Sequence, residues 1–428
     1  MTDPLSRAHA AALDAADPLR NLRDAFVFPQ HGDDDQTYFV GNSLGLQPRA
    51  ARAMVDEVLD QWGALAVEGH FTGPTQWLTY HQLVGDALAR VVGAQPGEVV
   101  AMNTLSVNLH LMMASFYRPT AERGAILIEA GAFPSDRHAV ESQLRLHGLD
   151  PATHLIEVEA DEPNGTVSMS AIAEAIAQHG PHLALVLWPG IQYRTGQAFD
   201  LAEIVRLARA QGAAVGLDLA HAVGNLPLTL HDDGVDFAVW CHYKYLNAGP
   251  GAVGGCFVHA RHATSDLPRM AGWWGHEQQT RFRMDPQFVP SPGAEGWQLS
   301  NPPVLALAPL RASLALFDQA GMAALRAKSE QLTGHLEQMI HARVPQVLQI
   351  VTPVEPARRG CQLSLRVAGG RARGRASVRA PPRSRRAWRL ARTGRDPYCA
   401  RAAVQPLQRS AYLRGAGGSL GGCLSAAV

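Results

Sequence analysis

Residues 236–255 read DFAVWCHYKYLNAGPGAVGG, an apolar run that leads directly into Lys244. The run has the length and composition of a buried strand, and a lysine at the end of such a strand needs a specific reason to be there. Close backbone approach beside the lysine is possible because four glycines follow it, Gly249, Gly251, Gly254 and Gly255. The stretch therefore predicts a core strand that presents an amine at the edge of a sheet.

The central part of the chain alternates short apolar runs with amphipathic helical patterns. The helical patterns at 166–180 and 200–212 each end at a glycine, and residues 300–340 indicate two more helices after a Pro-Pro start. This alternation predicts an α/β fold in which a parallel or mixed sheet carries helices on both faces. The apolar runs that we interpret as strands are residues 124–130, 183–190, 213–222, 236–246 and 254–260.

The composition indicates a chain with a sizeable core. Of its 428 residues, 46% are hydrophobic and 18% are charged, which suits one large domain or two ordinary ones. The five cysteines lack metal-binding spacing, and this sparse, odd set favours a reducing compartment, so we expect a cytoplasmic protein. The N-terminus has no signal-peptide pattern and no apolar run is long enough to span a bilayer, so no membrane partner is expected.

Charge is distributed unevenly along the chain, although the net value is zero. Residues 371–428 contain 13 arginines and one acidic residue, Asp396, so this tail carries +12 and the rest of the chain −12. An arginine-rich tail can bind nucleic acid. Its Arg-, Ala-, Gly- and Pro-rich composition without periodicity is also typical of disorder.

Asp218 and Lys244 form the first candidate site. Each ends an apolar run, and His221 follows Asp218 by three residues. Ligands of α/β sheets bind at the carboxyl ends of strands, so the acid and the lysine are expected to face one cleft. A desolvated lysine is a nucleophilic amine and a facing carboxylate can hold a pyridinium nitrogen, which is the pyridoxal-phosphate arrangement. An ordinary buried ion pair is the alternative, and these two residues alone do not decide between the two.

Two strand–loop–helix junctions offer contacts for a phosphate and a ring. At 103–116, Asn, Thr and Ser precede an apolar helix pattern, which suits a phosphate as well as a plain N-cap. At 129–144, Phe133 can stack on a flat ring with Ser135 and Asp136 at the loop tip, although the segment also reads as an imperfect capping box.

Three other loops are less specific. Residues 269–286 place two tryptophans between glycines, which suits an aromatic substrate, although core packing is the usual role of tryptophan. The loop at 41–48, GNSLGLQP, has no role that its pattern predicts. His70 is by itself most simply a surface histidine.

Together these segments resemble the kynureninase family of fold-type-I pyridoxal-phosphate hydrolases. Cysteine desulfurases and other fold-type-I enzymes share the Asp–Lys pair but not the later motifs. The matching stretches run in family order over about residues 38–366 and are YFVGNSLGLQP, MNTLSVNLHLMMASF, AFPSD, YRTGQAF, DLAHAVGN, CHYKYLNAGPGAVGG, AGWWGHE, QLSNPP and RRGCQLSL.

The resemblance implies a fold and an activity. The fold would be a mixed seven-stranded sheet flanked by helices, with a small C-terminal α+β domain. The activity would be hydrolysis of kynurenine or 3-hydroxykynurenine to alanine and anthranilate or 3-hydroxyanthranilate, by a homodimer with pyridoxal 5'-phosphate. The pathway would be tryptophan degradation or NAD biosynthesis.

The resemblance also implies roles for individual residues. Lys244 would hold the cofactor aldehyde and move the substrate α-proton, Tyr243 would bind the phosphate and relay a proton, and Asp218 would pair with the pyridine nitrogen. His70 and Asn301 would contact the substrate, and no metal is implied. The other cofactor contacts would come from Leu105, Ser106, Phe133, Pro134, Ser135, Asp136, His221, Trp273 and Asn301, with Trp273 and Asn301 placed in the same site or in a partner subunit's.

The resemblance ends at about residue 370. The family continues with a strand, a helix and a motif R-x-x-P-x-P-L-Y-N, whose arginine binds the substrate α-carboxylate, and the tail lacks this motif. A shifted reading frame over Ser377 to Arg409 can encode it, with the arginine across the codons of Pro397 and Tyr398, so our hypothesis is a frameshift. A genuine nucleic-acid-binding extension would truncate the domain without evident gain, and we expect no nucleic-acid partner.

We accordingly divide the chain into an N-terminal segment (1–50), a large cofactor-binding domain (51–300), the start of a small, disrupted C-terminal domain (301–370) and an anomalous tail (371–428). Two alternatives to an active kynureninase remain. One is a catalytically dead protein that binds the cofactor, and the other is a different fold-type-I enzyme such as a desulfurase or an epimerase. A desulfurase needs a reactive loop cysteine, and Cys399 and Cys423 both lie in the tail.

Overall fold

The computed structural model describes residue 3, residues 5–368 and, as backbone, residues 399–402. Most of the tail, and with it the shifted-frame hypothesis, lies outside the described residues. The α-helices are α1 (Arg7–Ala16), α2 (Ala50–Leu65), α3 (Gln82–Val92), α4 (Leu105–Phe116), α5 (Pro134–Leu146), α6 (Pro151–His154), α7 (Met169–His179), α8 (Leu201–Ala210), α9 (Leu230–Asp233), α10 (Val304–Ala320) and α11 (Met322–Arg343). The strands are β1 (Phe26–Val27), β2 (Gln30–His31), β3 (Asp34–Asp35), β4 (Gln47–Pro48), β5 (Val99–Ala101), β6 (Ala125–Glu129), β7 (Leu155–Val158), β8 (Leu183–Pro189), β9 (Ala214–Asp218), β10 (Phe237–Cys241), β11 (Gly254–Val258), β12 (Leu348–Ile350), β13 (Leu363–Val367) and β14 (Cys399–Ala402).

A seven-stranded mixed sheet has the strand order β5-β11-β10-β9-β8-β6-β7. The strands from β10 to β7 in this order are parallel to one another, whereas β11 is antiparallel to both β10 and β5. β6, β10 and β11 are buried along their whole length, which is why they read as continuous apolar runs rather than alternating ones. The predicted α/β class with a mixed seven-stranded sheet is confirmed.

Apolar side chains cover both faces of this sheet. Successive residues of β10 point to opposite faces, so Phe237 and Val239 join one cluster while Ala238 and Trp240 join the other. The first cluster packs against α4 and α5, and the second against α3, α8 and α10. A strand buried on both faces leaves its carboxyl end as the place where polar groups can be presented.

A third apolar cluster joins the N-terminal helix to the C-terminal part of the described chain. Ala10 of α1 is buried with Leu336 and Ile340 of α11 and with Leu363 and Leu365 of β13. β13 lies between β12 and the backbone of β14. The N-terminal segment therefore contributes to the C-terminal core, while the domain boundaries near residues 50, 300 and 370 remain predictions.

The end of β10 differs from the sequence prediction. The strand stops at Cys241, so Lys244 lies in a turn three residues beyond it and not at the strand end. The turn forms because the carbonyl oxygen of His242 accepts a hydrogen bond from the backbone N–H of Ala248 at 3.0 Å, which replaces ladder pairing. The two predicted helices of residues 300–340 are confirmed as α10 and α11. Among the described helices, none is both long and apolar enough to cross a bilayer.

Candidate active site

Asp218 ends one strand, and Lys244 lies shortly beyond the carboxyl end of the neighbouring parallel strand. Asp218 is the last residue of β9, where it aligns with Val239 of β10, and Lys244 follows β10. Asp218 is 8% exposed, and its Oδ1 accepts a hydrogen bond from the backbone N–H of Ala220 at 2.7 Å. The chain contains one other lysine, Lys328, which pairs with a carboxylate 2.6 Å away on a different surface. Lys244 is thus the lysine that the fold places beside a buried acid.

Two further carboxylates are buried at the same edge. Asp136, in the first turn of α5, is hydrogen-bonded to Asp218, and its Oδ1 has no partner. Burial, reinforced by the charge of Asp218, raises the pKa of Asp136 above its ordinary value, while Lys244 acts in the opposite direction. Burial also raises the pKa of Glu129, the last residue of β6, to about 8, although Gln192 donates to it at 3.3 Å. An excess of buried acids favours a cationic or proton-bearing ligand here.

The N-termini of α4 and α5 meet through their hydroxyl side chains. Ser106 Oγ lies 2.7 Å from Ser135 Oγ, so two predicted site residues from separate junctions are in contact. Leu105 begins α4, and its backbone N would lie 3.1 Å from a Cβ placed on Gly254. A side chain at Gly254 would therefore require a shift of a few tenths of an ångström in β11 or in the start of α4. Pro134 occupies the first position of α5, where a missing N–H costs no hydrogen bond. Two helix N-termini with adjacent hydroxyls suit an anion.

Aromatic side chains flank these groups. Phe133 is 49% exposed and meets Tyr193 edge to face, with ring centroids 5.2 Å apart. Tyr243 is hydrogen-bonded to the thiol of Cys241, and burial raises the pKa of its phenol. His221 is buried, with its ring 6.2 Å from that of Tyr245.

The loop GNSLGLQP, unassigned by sequence, packs against the lysine turn. The backbone N–H of Gly45 donates to the carbonyl oxygen of Tyr243 at 2.8 Å. A Cβ on Gly45 would lie 2.3 Å from the carbonyl oxygen of Lys244, so this position excludes any side chain. Gly249 and Gly251 serve a different purpose from the predicted close approach. Both have φ angles in the left-handed region and open space around them. Glycine is therefore favoured at these positions by the backbone conformation and not by close packing.

His70 and Trp273 belong to a second, aromatic cluster at the surface. The His70 ring lies 6.2 Å from that of Phe71, Phe71 lies 6.2 Å from Phe282, and Phe282 lies 5.4 Å from Trp273. Trp273, Phe71 and Phe282 are 41%, 49% and 51% exposed, which is unusual for a group of large apolar side chains. Asn301 is also exposed. The structure thus places His70 and Trp273 in this aromatic cluster, apart from the groups around Lys244 described above.

The residues around Lys244 fit pyridoxal phosphate. The unpartnered oxygen of buried Asp136 and the neighbouring Asp218 suit a protonated ring nitrogen. The paired hydroxyls of Ser106 and Ser135, at two helix N-termini, suit the phosphate. Lys244 carries an amine of the kind that the cofactor aldehyde requires.

Comparison with known proteins decides the family. Residues 86–374 match the model of the aminotransferase class-V family. The chain is 96% identical over 376 residues to a kynureninase of Xanthomonas euvesicatoria, covering 88% of this chain and 89% of that protein. It is 72% identical over 377 residues to a kynureninase of Stenotrophomonas maltophilia, with the same coverage. The chain belongs to the kynureninase family. Its cofactor is accordingly pyridoxal 5'-phosphate.

Solved structures with low identity support the fold. A cystine C-S lyase, C-DES, in complex with cysteine persulfide superposes with a TM-score of 0.70 at 22% identity, over 89% of this chain and 98% of the other. A cysteine desulfurase of Thermococcus onnurineus gives a TM-score of 0.65 at 17% identity, over 84% and 83%. At these identities, the comparison shows that the chain shares the fold of the two enzymes and nothing more.

Glu129 and Gly45 are the site residues that sequence reasoning missed. Glu129 ends a buried apolar run as Asp218 does, so the same rule could have found it. Gly45 carries no comparable indication, because the backbone that excludes its side chain lies about 200 residues away in the chain.

Proposed function

We propose that this chain carries the active site of a kynureninase, which hydrolyses kynurenine or 3-hydroxykynurenine at the bond between the β-carbon and the ketone carbon. The products are alanine and anthranilate or 3-hydroxyanthranilate. The observation that carries the proposal is the position of Lys244 beside buried Asp218 in a chain 96% identical to a kynureninase. A cytoplasmic role in tryptophan degradation or NAD biosynthesis is part of the same proposal.

The residues around Lys244 divide the work by position. Bound pyridoxal phosphate supplies an aldehyde for the substrate amine and a ring that withdraws electrons from the α-carbon. Asp218 holds the proton on the ring nitrogen, and Asp136 supports Asp218 through their hydrogen bond. Lys244 Nζ removes the α-proton as general base. Tyr243, whose raised phenol pKa keeps it protonated, donates to the phosphate and supplies a proton.

The remaining cofactor residues fix orientation. Ser106 and Ser135, with Leu105 and Pro134 at the same helix starts, hold the phosphate end. Phe133 and His221 would hold the ring. A water adds to the ketone carbon of the substrate and the bond from that carbon to the β-carbon breaks. The aromatic acid leaves with the water oxygen, and the β-carbon takes a proton, which Tyr243 would donate, to become the methyl group of alanine.

The exposed aromatic cluster supports a homodimer. Three large apolar side chains at 41% to 51% exposure are costly in water, and a second copy of the chain would cover them. In this arrangement His70, Trp273 and Asn301 reach the substrate side of a partner's site. Size-exclusion chromatography with light scattering tests this, and a monomer at micromolar concentration would contradict it.

The burial of the cysteine side chains that the structure describes disfavours the desulfurase alternative. Cys241, Cys256 and Cys361 are all buried. Burial raises the pKa of the Cys241 and Cys256 thiols, whereas a desulfurase needs an accessible thiolate. The epimerase alternative has no comparable observation in its favour.

The tail decides whether the chain turns over substrate. The alignment with the Xanthomonas euvesicatoria protein leaves 52 of the 428 residues uncovered, close to the 58 residues of the arginine-rich tail. A frameshift would account for the missing carboxylate-binding arginine. Gene sequencing tests the hypothesis, since a coding sequence without the hidden family motif would reject it.

One assay separates the functional alternatives. The protein is mixed with pyridoxal phosphate, the absorbance of bound cofactor is recorded, and anthranilate fluorescence is followed after kynurenine is added. Cofactor absorbance with anthranilate production supports an active kynureninase. Absorbance without anthranilate selects the catalytically dead protein, and absence of cofactor binding would overturn the proposal.

A further inference from the structure

Glu98, His231 and His259 form a cluster at the sheet edge opposite Lys244. β11 begins beside the candidate active site at Gly254 and ends at Val258, so His259 follows the strand at the far edge. Glu98 precedes the neighbouring β5, and His231 lies in α9. The cluster is therefore built from three separate segments and shares no residue with the candidate active site.

The three side chains converge on a small volume. One potential ligand atom from each lies within 4.8 Å of the other two. Glu98 Oε1 lies 2.8 Å from His231 Nδ1 and 3.7 Å from His259 Nδ1. Tetrahedral Zn²⁺ with bonds of about 2.0–2.1 Å separates its ligands by roughly 3.3 Å, a value that lies between the two distances from Glu98 Oε1.

The hydrogen bonds of His259 fix its tautomer. Its Nε2 lies 3.2 Å from the carbonyl oxygen of His231, which can only accept, so Nε2 carries the proton. Nδ1 accepts from the backbone N–H of Arg261 at 3.1 Å, and it also faces the carboxylate oxygen of Glu98. An ion bound here would take the place of the Arg261 N–H at Nδ1 and would link Nδ1 to Glu98 Oε1, 3.7 Å away.

The surrounding groups resemble the outer contacts of metal ligands. Histidines that bind metals generally donate their second ring N–H to a carbonyl or carboxylate, as His259 does here. His231 Nε2 lies 2.9 Å from the side-chain amide of Gln95. If that amide is turned by about 180°, its oxygen accepts a hydrogen bond from Nε2–H, and the lone pair of Nδ1 is then available to bind a metal. Glu98 is held by the backbone N–H groups of Gln95 and Ala260, both at 2.7 Å.

We propose that Glu98, His231 and His259 bind a divalent late first-row transition metal, of which Zn²⁺ is the best match. Two imidazoles and one carboxylate are the donor set that Zn²⁺ and Co²⁺ accept in four-coordinate sites, with water in the fourth position. His231 is 25% exposed at its side chain, which gives the ion and the water a path. The guanidinium of Arg261 is nearby but is paired with Asp236, so its charge is compensated. The ion would tie the segment before β5, helix α9 and the end of β11 together.

Metal titration of the full-length, cofactor-loaded protein tests the site. Isothermal titration with Zn²⁺ is expected to show one saturable site per chain that is absent, or at least tenfold weaker, in His231→Ala and His259→Ala. Co²⁺ at the same site should give the visible absorption bands of tetrahedral coordination. His341→Ala, which removes an exposed histidine, serves as the matched control and should leave the number of Zn²⁺ ions bound per chain unchanged.

The outcomes are distinguishable from misfolding and from binding elsewhere. His231→Ala leaves Glu98 its two backbone donors, so circular dichroism and cofactor absorbance should match those of the parent protein. If His231→Ala does not fold, the Co²⁺ spectrum of the parent protein still decides. Absence of a saturable site, or a site unchanged in both histidine variants, would overturn the proposal.

Discussion

At the scale of single residues, the site around Lys244 is defined by an excess of buried carboxylates. Glu129 is the clearest case, because burial raises its pKa from 4.5 to about 8 in the folded chain. A raised folded-state pKa gives stability that is fully present below pH 4.5 and is lost as the pH rises through about 8. The contribution amounts to roughly 5 kcal/mol at most.

Replacing Glu129 with glutamine should remove this pH dependence. Urea unfolding at several values between pH 4.5 and 8.5 is expected to show the parent protein losing stability relative to Glu129→Gln as the pH rises. Glu174→Gln, at an exposed position on α7, provides the matched control. Parallel pH curves for the parent protein and Glu129→Gln would show that Glu129 is not protonated in the fold.

Single residues also show what sequence can and cannot reveal. Asp218 and Lys244 were predictable, since polar groups that follow fully apolar strands must be held there for a reason. The sequence could not predict that Asp136 would contact Asp218, or that Ser106 would contact Ser135. Each depends on how two strand–helix junctions pack, and the local sequence contains no information on that packing.

At the scale of elements, the lysine turn is held by a buried histidine. His242 Nε2 accepts from the indole N–H of Trp240 at 2.8 Å, so its Nδ1 donates to the carbonyl oxygen of Val253, also at 2.8 Å. Burial lowers the pKa of His242 to about 3. The histidine is therefore neutral in the fold, and its contribution to stability is lost as the pH falls from about 6.5 towards 3.

Removing this histidine should be costly. His242→Ala leaves two buried polar groups without partners, and we expect a loss of about 2–4 kcal/mol in urea unfolding at pH 7. The loss of stability on acidification should also become shallower than in the parent protein. His341→Ala, at an exposed position, should change stability by less than about 0.5 kcal/mol. Equal stabilities for the two variants would contradict this account of the turn.

The contact between the GNSLGLQP loop and the lysine turn gives a second prediction for elements. Gly45→Ala forces a methyl group onto the backbone of Lys244 and Asn247, so the turn must shift. Affinity for pyridoxal phosphate is expected to fall about tenfold or more, measured by cofactor fluorescence titration. Gly85→Ala, in α3 with open space around it, should leave the affinity unchanged and add up to about 1 kcal/mol of stability.

Elements were predictable to different degrees. The strands of the large sheet were found because burial on both faces makes them continuously apolar. The end of β10 was misplaced because His242 and Tyr243 extend the apolar pattern, while the hydrogen bond that turns the chain comes from Ala248 beyond it. The contribution of α1 to the C-terminal core could not be predicted, since α1 and α11 are separated by about 300 residues.

At the scale of the whole molecule, residues that fit the cofactor are combined with a tail that lacks the family's substrate-binding motif. Loss of a bidentate arginine–carboxylate contact costs roughly 2–4 kcal/mol, or about 30- to 1000-fold in kcat/KM. The 428-residue chain should therefore bind the cofactor but release anthranilate slowly. A protein expressed from a gene in which the family reading frame is restored over the tail should have a kcat/KM that is higher by that factor. Equal kcat/KM for the two proteins would show that the tail does not matter for turnover.

The most direct test of the central claim uses the fact that the chain has two lysines. The protein is incubated with pyridoxal phosphate, reduced with borohydride and digested, and the modified peptide is identified by mass spectrometry. We predict modification at Lys244, loss of it in Lys244→Arg and no effect of Lys328→Arg, because Lys328 is paired with Asp17 away from the site. Modification at Lys328, or at neither lysine, would contradict the assignment of Lys244 as the cofactor-binding residue.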